Sequence, residues 1–170
     1  LNDPKAGFFR QHCYSRLIKH FDFLNRIKSK NFSEVGHDVV FSLNVYRGHS
    51  APILFQNLSL CFLPSQIDDS FRHDGTGQIP TLKTADGAWD TRGHAARLVE
   101  ISTKTLMVIG NMTEEGDVPI GHQRFLQPYS QSLMGVIAQF SGHRSLGETH
   151  DKWQVNGLIG ETAGQNSGLI

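Results

Sequence analysis

The sequence lacks several features that would assign a function directly. Its 170 residues contain only two cysteines, Cys13 and Cys61, and these form no CxxC pair. A disulfide scaffold and a cysteine zinc site are therefore not predicted, and a reducing, cytoplasmic location is expected. The 16 Lys and Arg residues balance 16 Asp and Glu residues, which excludes the strongly basic composition of a simple nucleic-acid-binding domain but leaves a local basic face open.

Long apolar runs and short catalytic motifs are also missing. No run approaches the roughly 20 apolar residues that a membrane-spanning helix needs, so no membrane partner is expected. Glycine-rich phosphate loops, the GxSxG turn and the HExxH motif do not occur, and the sequence predicts no catalytic, cofactor-binding or metal-binding residue in this chain. Because the chain starts without Met and without a signal peptide, we expect a piece of a longer protein or a processed product.

Hydrophobic periodicity predicts a mixed α/β chain. Apolar residues spaced by three and four predict an amphipathic helix over residues 14–28, and alternation predicts a strand over residues 39–46. The apolar run 53–63 is compatible with a second strand that forms a hairpin with the first. A further helix is predicted over residues 129–140. The last thirty residues are polar and glycine-rich, and we expect them to be ordered only through contacts with the rest.

Two stretches between these elements are less regular. Residues 64–94 are rich in Gly, Pro and Asp, which predicts turns. A loop of this length in a compact domain is usually functional or belongs to an insertion. Residues 95–112 fit either a strand at 98–101 or a helix that begins at Ser102 or Thr103, and the pattern leaves both open.

The most unusual segment joins an aromatic residue to several hydrogen-bond donors in one short stretch. The predicted DNA-binding residues are Lys83, Trp89, Arg92, His94 and Arg97. The ring of Trp89 is suited to stacking, and the nearby cations are suited to phosphates and base edges. The alternative is a loop that Trp89 pins in a small core and that Asp90–Arg92 or Asp86–Arg97 bonds hold in place.

A metal-dependent nuclease is a further alternative. It requires carboxylates and a lysine that hold Mg²⁺ and activate water. Asp90, Glu100 and Lys104 come closest, but their spacing is wider than that of the usual acidic-x-Lys pair on one strand. The nine histidines are dispersed, and we expect them at the surface or as caps rather than as metal ligands.

Three groups of segments resemble one protein family in their order and approximate spacing. The matching segments are 16–27, 31–37 and 40–46, then 62–68, 86–94 and 97–101, and finally 127–130, 138–140, 146–148 and 161–168. Together they resemble a stretch downstream of the catalytic motifs in large adenine-specific DNA methyltransferases of type II and IIG restriction-modification and related phage-defence systems. The resemblance covers most of residues 10–170.

This resemblance implies a parent enzyme that uses S-adenosylmethionine to methylate N6 of adenine after flipping the base out of the duplex. The cofactor loop and the Asn-Pro-Pro-aromatic motif would lie upstream, since neither occurs in this chain. Residues 1–61 would be the terminal helix–strand part of a methylase-like α/β domain. Residues 62–170 would be a loop-rich insertion or target-recognition region with helices. The expected fold class is therefore a mixed α+β fragment, the end of a methyltransferase-type sheet followed by that irregular region.

The resemblance also implies a non-catalytic role, with double-stranded DNA and the remainder of the parent protein as partners. Zero net charge is compatible with DNA contact when other regions of the parent supply the phosphate clamp. The alternative is a protein–protein interaction module of a defence complex that does not touch DNA. Clustering of Lys83, Arg92, Arg97 and Arg72 on one face would favour the DNA interpretation.

Overall fold

The computed structural model describes residues 3–27, 31–114 and 116–143 as a mixed α/β fold. Its helices and strands, in chain order, are α1 (Gly7–Tyr14), β1 (Leu17–Leu24), β2 (Val40–Tyr46), β3 (Leu54–Cys61), α2 (Ser65–Arg72), β4 (Val99–Ser102), α3 (Thr103–Thr113) and α4 (Gln131–Phe140). Short 3-10 turns occupy Ala95–Arg97 and Ile120–His122.

The four strands form one mixed sheet in the order β2-β1-β3-β4. Strand β1 pairs antiparallel with β2 and parallel with β3, and β3 pairs antiparallel with β4. The sheet therefore joins strands from both sides of residue 61, and the division of the chain at that point stays a prediction. Strands β1 and β3 are largely buried, whereas β2 forms an edge whose side chains are exposed on both faces.

Two apolar clusters flank the sheet. The larger cluster consists of Tyr14, Leu17, Phe55, Val99, Ile101, Leu106, Ile109, Phe125 and Met134. It packs α1, α3 and α4 against the sheet. The smaller cluster consists of Phe21, Phe23, Leu58 and Cys61, with Phe41, Ile67 and Leu98 packed against it, and it brings α2 to the sheet through Ile67.

The helix predicted over residues 14–28 is wrong. The chain forms helix α1 before this segment and strand β1 within it. Because β1 is buried at Leu17, Phe21 and Phe23 as well as at polar positions between them, it shows no strict alternation of apolar and polar residues. Its apolar residues match helical spacing by coincidence, and pairing with two neighbouring strands decides its structure.

The strand predicted over residues 39–46 is confirmed as β2, but the predicted hairpin is wrong because β1 lies between β2 and β3. Both alternatives for residues 95–112 are realised in succession. Strand β4 ends at Ser102, whose hydroxyl then accepts a hydrogen bond from the Thr105 backbone N–H at 3.3 Å and begins α3.

The helix predicted over residues 129–140 is confirmed as α4, with Ser130 as its N-cap. Its buried residue is Met134, while Leu133, Val136 and Phe140 are exposed. None of the helices in the described part of the chain is long and apolar enough to cross a membrane. Most of the polar C-terminal stretch, residues 144–170, lies outside the described residues.

Candidate nucleic-acid interface

Residues 80–97, here called the Trp89 loop, contain all five residues that the sequence singles out. The loop opens with a small hairpin in which Lys83 and Trp89 pair as an isolated antiparallel bridge. The Thr84 backbone N–H donates to the Ala88 carbonyl at 2.9 Å, and the Gly87 N–H donates to the Thr84 carbonyl at 2.9 Å. Gly87 has a φ of +84°, a conformation that glycine adopts without strain.

The ring of Trp89 is half-buried against the sheet and carries two cations. It packs on Phe62, the residue that follows β3, with ring centroids 4.9 Å apart and planes inclined by 40°. The Lys83 ammonium lies 4.9 Å from the indole centroid and the Arg26 guanidinium 5.4 Å from it. Residues from the end of β1, the end of β3 and the hairpin thus meet at one ring.

Gln66 of α2 fastens the loop to the end of β3. Its Oε1 accepts hydrogen bonds from the backbone N–H groups of Phe62 at 2.6 Å and Leu63 at 3.1 Å. Its Nε2 donates to the backbone carbonyls of Asp90 at 3.4 Å and Arg92 at 3.5 Å. One fully buried side chain therefore connects strand, helix and loop.

Asp90 and Arg92 form the local ion pair that the pinned-loop alternative predicts. The Asp90 carboxylate is buried and accepts from Arg92 Nε at 2.9 Å and Nη2 at 2.6 Å. The Arg92 hydrogen bonds hold the pKa of Asp90 below its usual value. The Arg92 side chain remains 65% exposed. The other predicted bond does not form, because Asp86 accepts from the Thr84 hydroxyl.

His94 lies inside the loop rather than at its surface. Its Nδ1 accepts from the Ala96 backbone N–H at 3.0 Å, and its Nε2 lies 3.2 Å from the Thr76 carbonyl. These partners fit a neutral ring with the proton on Nε2. The ring also packs against His73, with centroids 4.0 Å apart and planes inclined by 35°. The geometry gives His94 a structural role in this arrangement.

Arg97 is completely buried and holds a strained turn of strand β3. Its Nη2 donates to the carbonyls of Ser59 at 2.6 Å and Leu60 at 3.3 Å, and its guanidinium lies 4.2 Å from the Tyr129 ring centroid. Leu60 has a φ of +54°, which is unusual for a branched side chain. Pairing with β1 shifts at this point, which marks a bulge.

Asp22 of β1 lies at the same bulge, and its carboxyl group is an acidic counterpart to the Arg97 guanidinium. Its buried carboxylate accepts hydrogen bonds from the Leu60 backbone N–H and the Gln127 side chain. Burial raises the pKa of Asp22 to about 6, and these hydrogen bonds oppose that shift. Burial also raises the pKa of the neighbouring Cys61 thiol to about 12, which leaves it protonated and unreactive.

The five predicted residues therefore separate into two groups. Lys83 and Arg92 are exposed and Trp89 is half-buried, whereas His94 and Arg97 lie inside the protein. Arg97 cannot join a basic face with the exposed cations in this arrangement. Reasoning from the sequence missed Arg26, because the helix wrongly predicted there gave no reason to place it beside Trp89.

The nuclease residues do not assemble into a metal site. Asp90 is bonded to Arg92, while Glu100 is exposed on β4 and Lys104 is exposed on α3. Within the described ranges, no group of three or more His, Cys, Asp or Glu side chains is placed to hold a metal ion.

Comparisons of the chain with protein families, with curated proteins and with solved structures give no match.

Proposed function

We propose that this chain is a non-catalytic part of an S-adenosylmethionine-dependent, adenine-specific DNA methyltransferase of a restriction-modification or phage-defence system. In this proposal the Trp89 loop contributes DNA contacts. The observation that carries it is the way the loop is held. Buried bonds fix its backbone to β3 and α2, while Lys83 and Arg92 extend into solvent and Trp89 is partly exposed.

A loop of this kind suits recognition. Binding residues often lie on loops that a rigid scaffold positions, because little conformational entropy is then lost on binding. Gln66 and Arg97 supply that scaffold from below, and Asp90 fixes the direction of Arg92. The buried members of the predicted set therefore support the exposed ones rather than compete with the DNA interpretation.

The cofactor is assigned to other parts of the parent protein. In the methyltransferase family that this chain resembles, the S-adenosylmethionine site is expected to need a glycine-rich turn after a strand, where the backbone approaches the ligand closely. The parallel strands β1 and β3 lead instead into residues 25–27 and 62–65, which contain no glycine. These segments do not fit the cofactor.

The edge strand supports a place within a larger sheet. Val40 and Leu43 of β2 are 55% and 52% exposed, and Val45 and Tyr46 are also exposed. A strand with apolar side chains on both faces and one unpaired edge is normally covered by a neighbour. The remainder of the parent protein is the partner that we propose for this edge.

DNA binding at two salt concentrations tests the proposal. The chain is titrated into a labelled DNA duplex, first at low and then at physiological salt. We expect measurable binding at low salt that weakens as salt rises, because phosphate contacts release counterions. Lys83→Ala is expected to weaken binding, whereas Lys104→Ala on α3 serves as a matched control. Absence of binding at low salt, or affinity that is independent of salt, contradicts DNA contact by this chain.

The second candidate is a protein-docking module of a defence complex without DNA contact. The exposed β2 edge favours it directly, and so does the charge of the neighbouring segment. Residues 64–97 contain five Asp residues and only four Lys and Arg residues. Under this alternative, Leu43→Asp abolishes capture of the chain by its partner subunit, and Lys83→Ala has no effect on any interaction.

A further inference from the structure

Three structural elements bring two cations to the ring of Trp89. Lys83 lies 4.9 Å and Arg26 5.4 Å from the ring centroid, and Phe62 supports the ring from the protein side. We call Lys83, Arg26 and Trp89 the indole platform. Cations attracted to one ring repel each other, and a bound anion would relieve that repulsion.

The hydrogen-bonding capacity of this platform is only partly used. Among the ion pairs within the described residues, Lys83 takes no part, and its side chain is exposed. Arg26 pairs with Asp38, whose side chain is 74% exposed. Within the part of the chain that the structure describes, the Arg26 Nε is buried without a hydrogen-bond partner. An exposed ion pair of this kind contributes little to stability, so an incoming anion can replace or share Asp38 at small cost.

Other cations near the loop are less available to a ligand. Arg92 is bonded through two nitrogens to the Asp90 carboxylate, and Arg97 is buried under Tyr129. The Asp90 carboxylate is itself fixed by burial, unlike that of Asp38. The indole platform is therefore the part of the Trp89 loop that combines an aromatic surface with available positive charge.

We infer that the indole platform binds a backbone phosphate of DNA, with Lys83 and Arg26 donating to the phosphate oxygens and Trp89 contacting the adjoining sugar or base. This inference rests on the proposed function and adds Arg26 to it, while it removes Arg92 from the phosphate contacts. Aromatic rings flanked by Lys or Arg are the recurrent means of holding a nucleic-acid backbone and a base together.

Asp38 makes the inference distinguishable from a structural role of the ion pair. If Arg26 serves only to hold the chain around residue 38, then Asp38→Asn and Arg26→Gln have the same effect on any DNA binding. If Arg26 contacts phosphate, the two variants act in opposite directions. Removal of the competing carboxylate then strengthens binding about two- to threefold, a change of the size of a weak surface ion pair.

Tryptophan emission provides the readout. The chain has two tryptophans, Trp89 and Trp153, and Trp153→Phe leaves Trp89 as the only emitter. In this background a DNA duplex is expected to quench or shift the emission. Inorganic phosphate at matched ionic strength is expected to leave it unchanged. Lys83→Ala and Arg26→Gln are each expected to weaken binding and to lower the slope of log affinity against log salt by about 0.9, with Lys104→Ala as the control.

The outcomes separate this inference from the proposed function. One outcome is that DNA binds with normal salt dependence, the emission of Trp89 does not change on binding, and Arg26→Gln has no effect on affinity. The indole platform is then not the phosphate site, and the proposed function stands. If inorganic phosphate alone reproduces the emission change, the site takes free phosphate and the inference is overturned. If no DNA binds at low salt, the proposed function fails and this inference fails with it.

Discussion

The Trp89 loop and strand β2 are held in opposite ways. The loop has little regular structure, yet Gln66, Arg97 and Trp89 connect it to the sheet through buried contacts. Strand β2 has regular structure along seven residues, yet among residues 3–27, 31–114 and 116–143 it pairs on one side only, and its side chains are exposed on both faces.

This difference shows that regular secondary structure is a poor guide to how well a segment is packed against the rest of the described residues. The loop is fixed to the sheet and to α2 by buried hydrogen bonds, and it presents the side chains of Lys83 and Arg92 to solvent. Among the described residues, the strand leaves apolar surface and backbone groups open, and this is why we propose a neighbour at its edge. The four variants that follow test this contrast.

The largest effect is expected in the buried strand β3, which β1 separates from β2. Leu58 and Leu43 lie in one row of the sheet, since both pair with Phe21 of β1. Leu58 is fully buried, and Leu58→Ala is expected to lower the free energy of unfolding by about 3 kcal/mol through lost burial and a cavity. Urea denaturation of the purified chain measures it. A loss below about 1 kcal/mol would mean that the sheet is loosely packed at this row.

Gly93 tests how firmly the Trp89 loop is held. A Cβ at this position would lie 2.5 Å from the Asp69 Cβ and from the Ser70 backbone nitrogen of α2. Gly93→Ala is therefore expected to push the loop away and to lower stability by about 2.5 kcal/mol. Gly135→Ala in α4 is the matched control, because its Cβ meets nothing and helix propensity favours alanine. Equal effects of the two variants would contradict tight fixation of the loop.

Asp22 of the buried strand β1 is expected to make the free energy of unfolding depend on pH. Its pKa is about 6 in the folded chain against 3.8 as the ordinary value, so the fold favours the protonated carboxyl. Its stabilising contribution is complete below 3.8 and is lost as pH rises through about 6. Asp22→Asn removes this loss, and the variant is expected to gain about 2 kcal/mol on wild type between about pH 4.5 and about pH 7.5.

Denaturation at several pH values measures the Asp22 effect. Asp86→Asn is the control, because a hydrogen bond from the Thr84 hydroxyl lowers the pKa of this exposed carboxyl and moves its titration away from that range. The pH profile of Asp86→Asn is expected to follow wild type. If the difference in the free energy of unfolding between wild type and Asp22→Asn stays constant with pH, then Asp22 does not titrate near pH 6.

The smallest effect is expected at the open edge. Leu43 is 52% exposed, so Leu43→Ala is expected to cost less than about 1 kcal/mol in the isolated chain, well below Leu58→Ala in the same row. In a complex that covers β2, the same substitution is expected to weaken association markedly. A cost in the isolated chain as large as that of Leu58→Ala would show that β2 is already packed.

Local sequence patterns predicted the parts of the fold that depend on residues close to one another in the sequence. Strand β2 keeps the alternation of apolar and polar residues that predicted it, although its side chains are exposed on both faces, and Ser102 is a favourable N-cap wherever it precedes a helix. Strand β1 was mispredicted because burial between two strands removes alternation. Its pairing with β3 depends on residues some 37 positions away in the chain.

The candidate site divides in the same way. The Asp90–Arg92 pair joins residues two positions apart and is readable from the sequence. The burial of Arg97 is not, because charged side chains are rarely buried and the bulge at Leu60 that it holds has no sequence signal. Arg26 reaches Trp89 only through the fold of the sheet.

Lysine footprinting is the most direct test of DNA contact by the Trp89 loop, because it reports where DNA covers the unmodified chain. Lys83 in the Trp89 loop, Lys5 and Lys104 all have exposed side chains and are open to an acetylating reagent. We expect saturating duplex DNA at low salt to slow the acetylation of Lys83, while Lys5 and Lys104 react as before. Acetylation of Lys83 at an unchanged rate under saturating DNA would contradict DNA contact by the Trp89 loop.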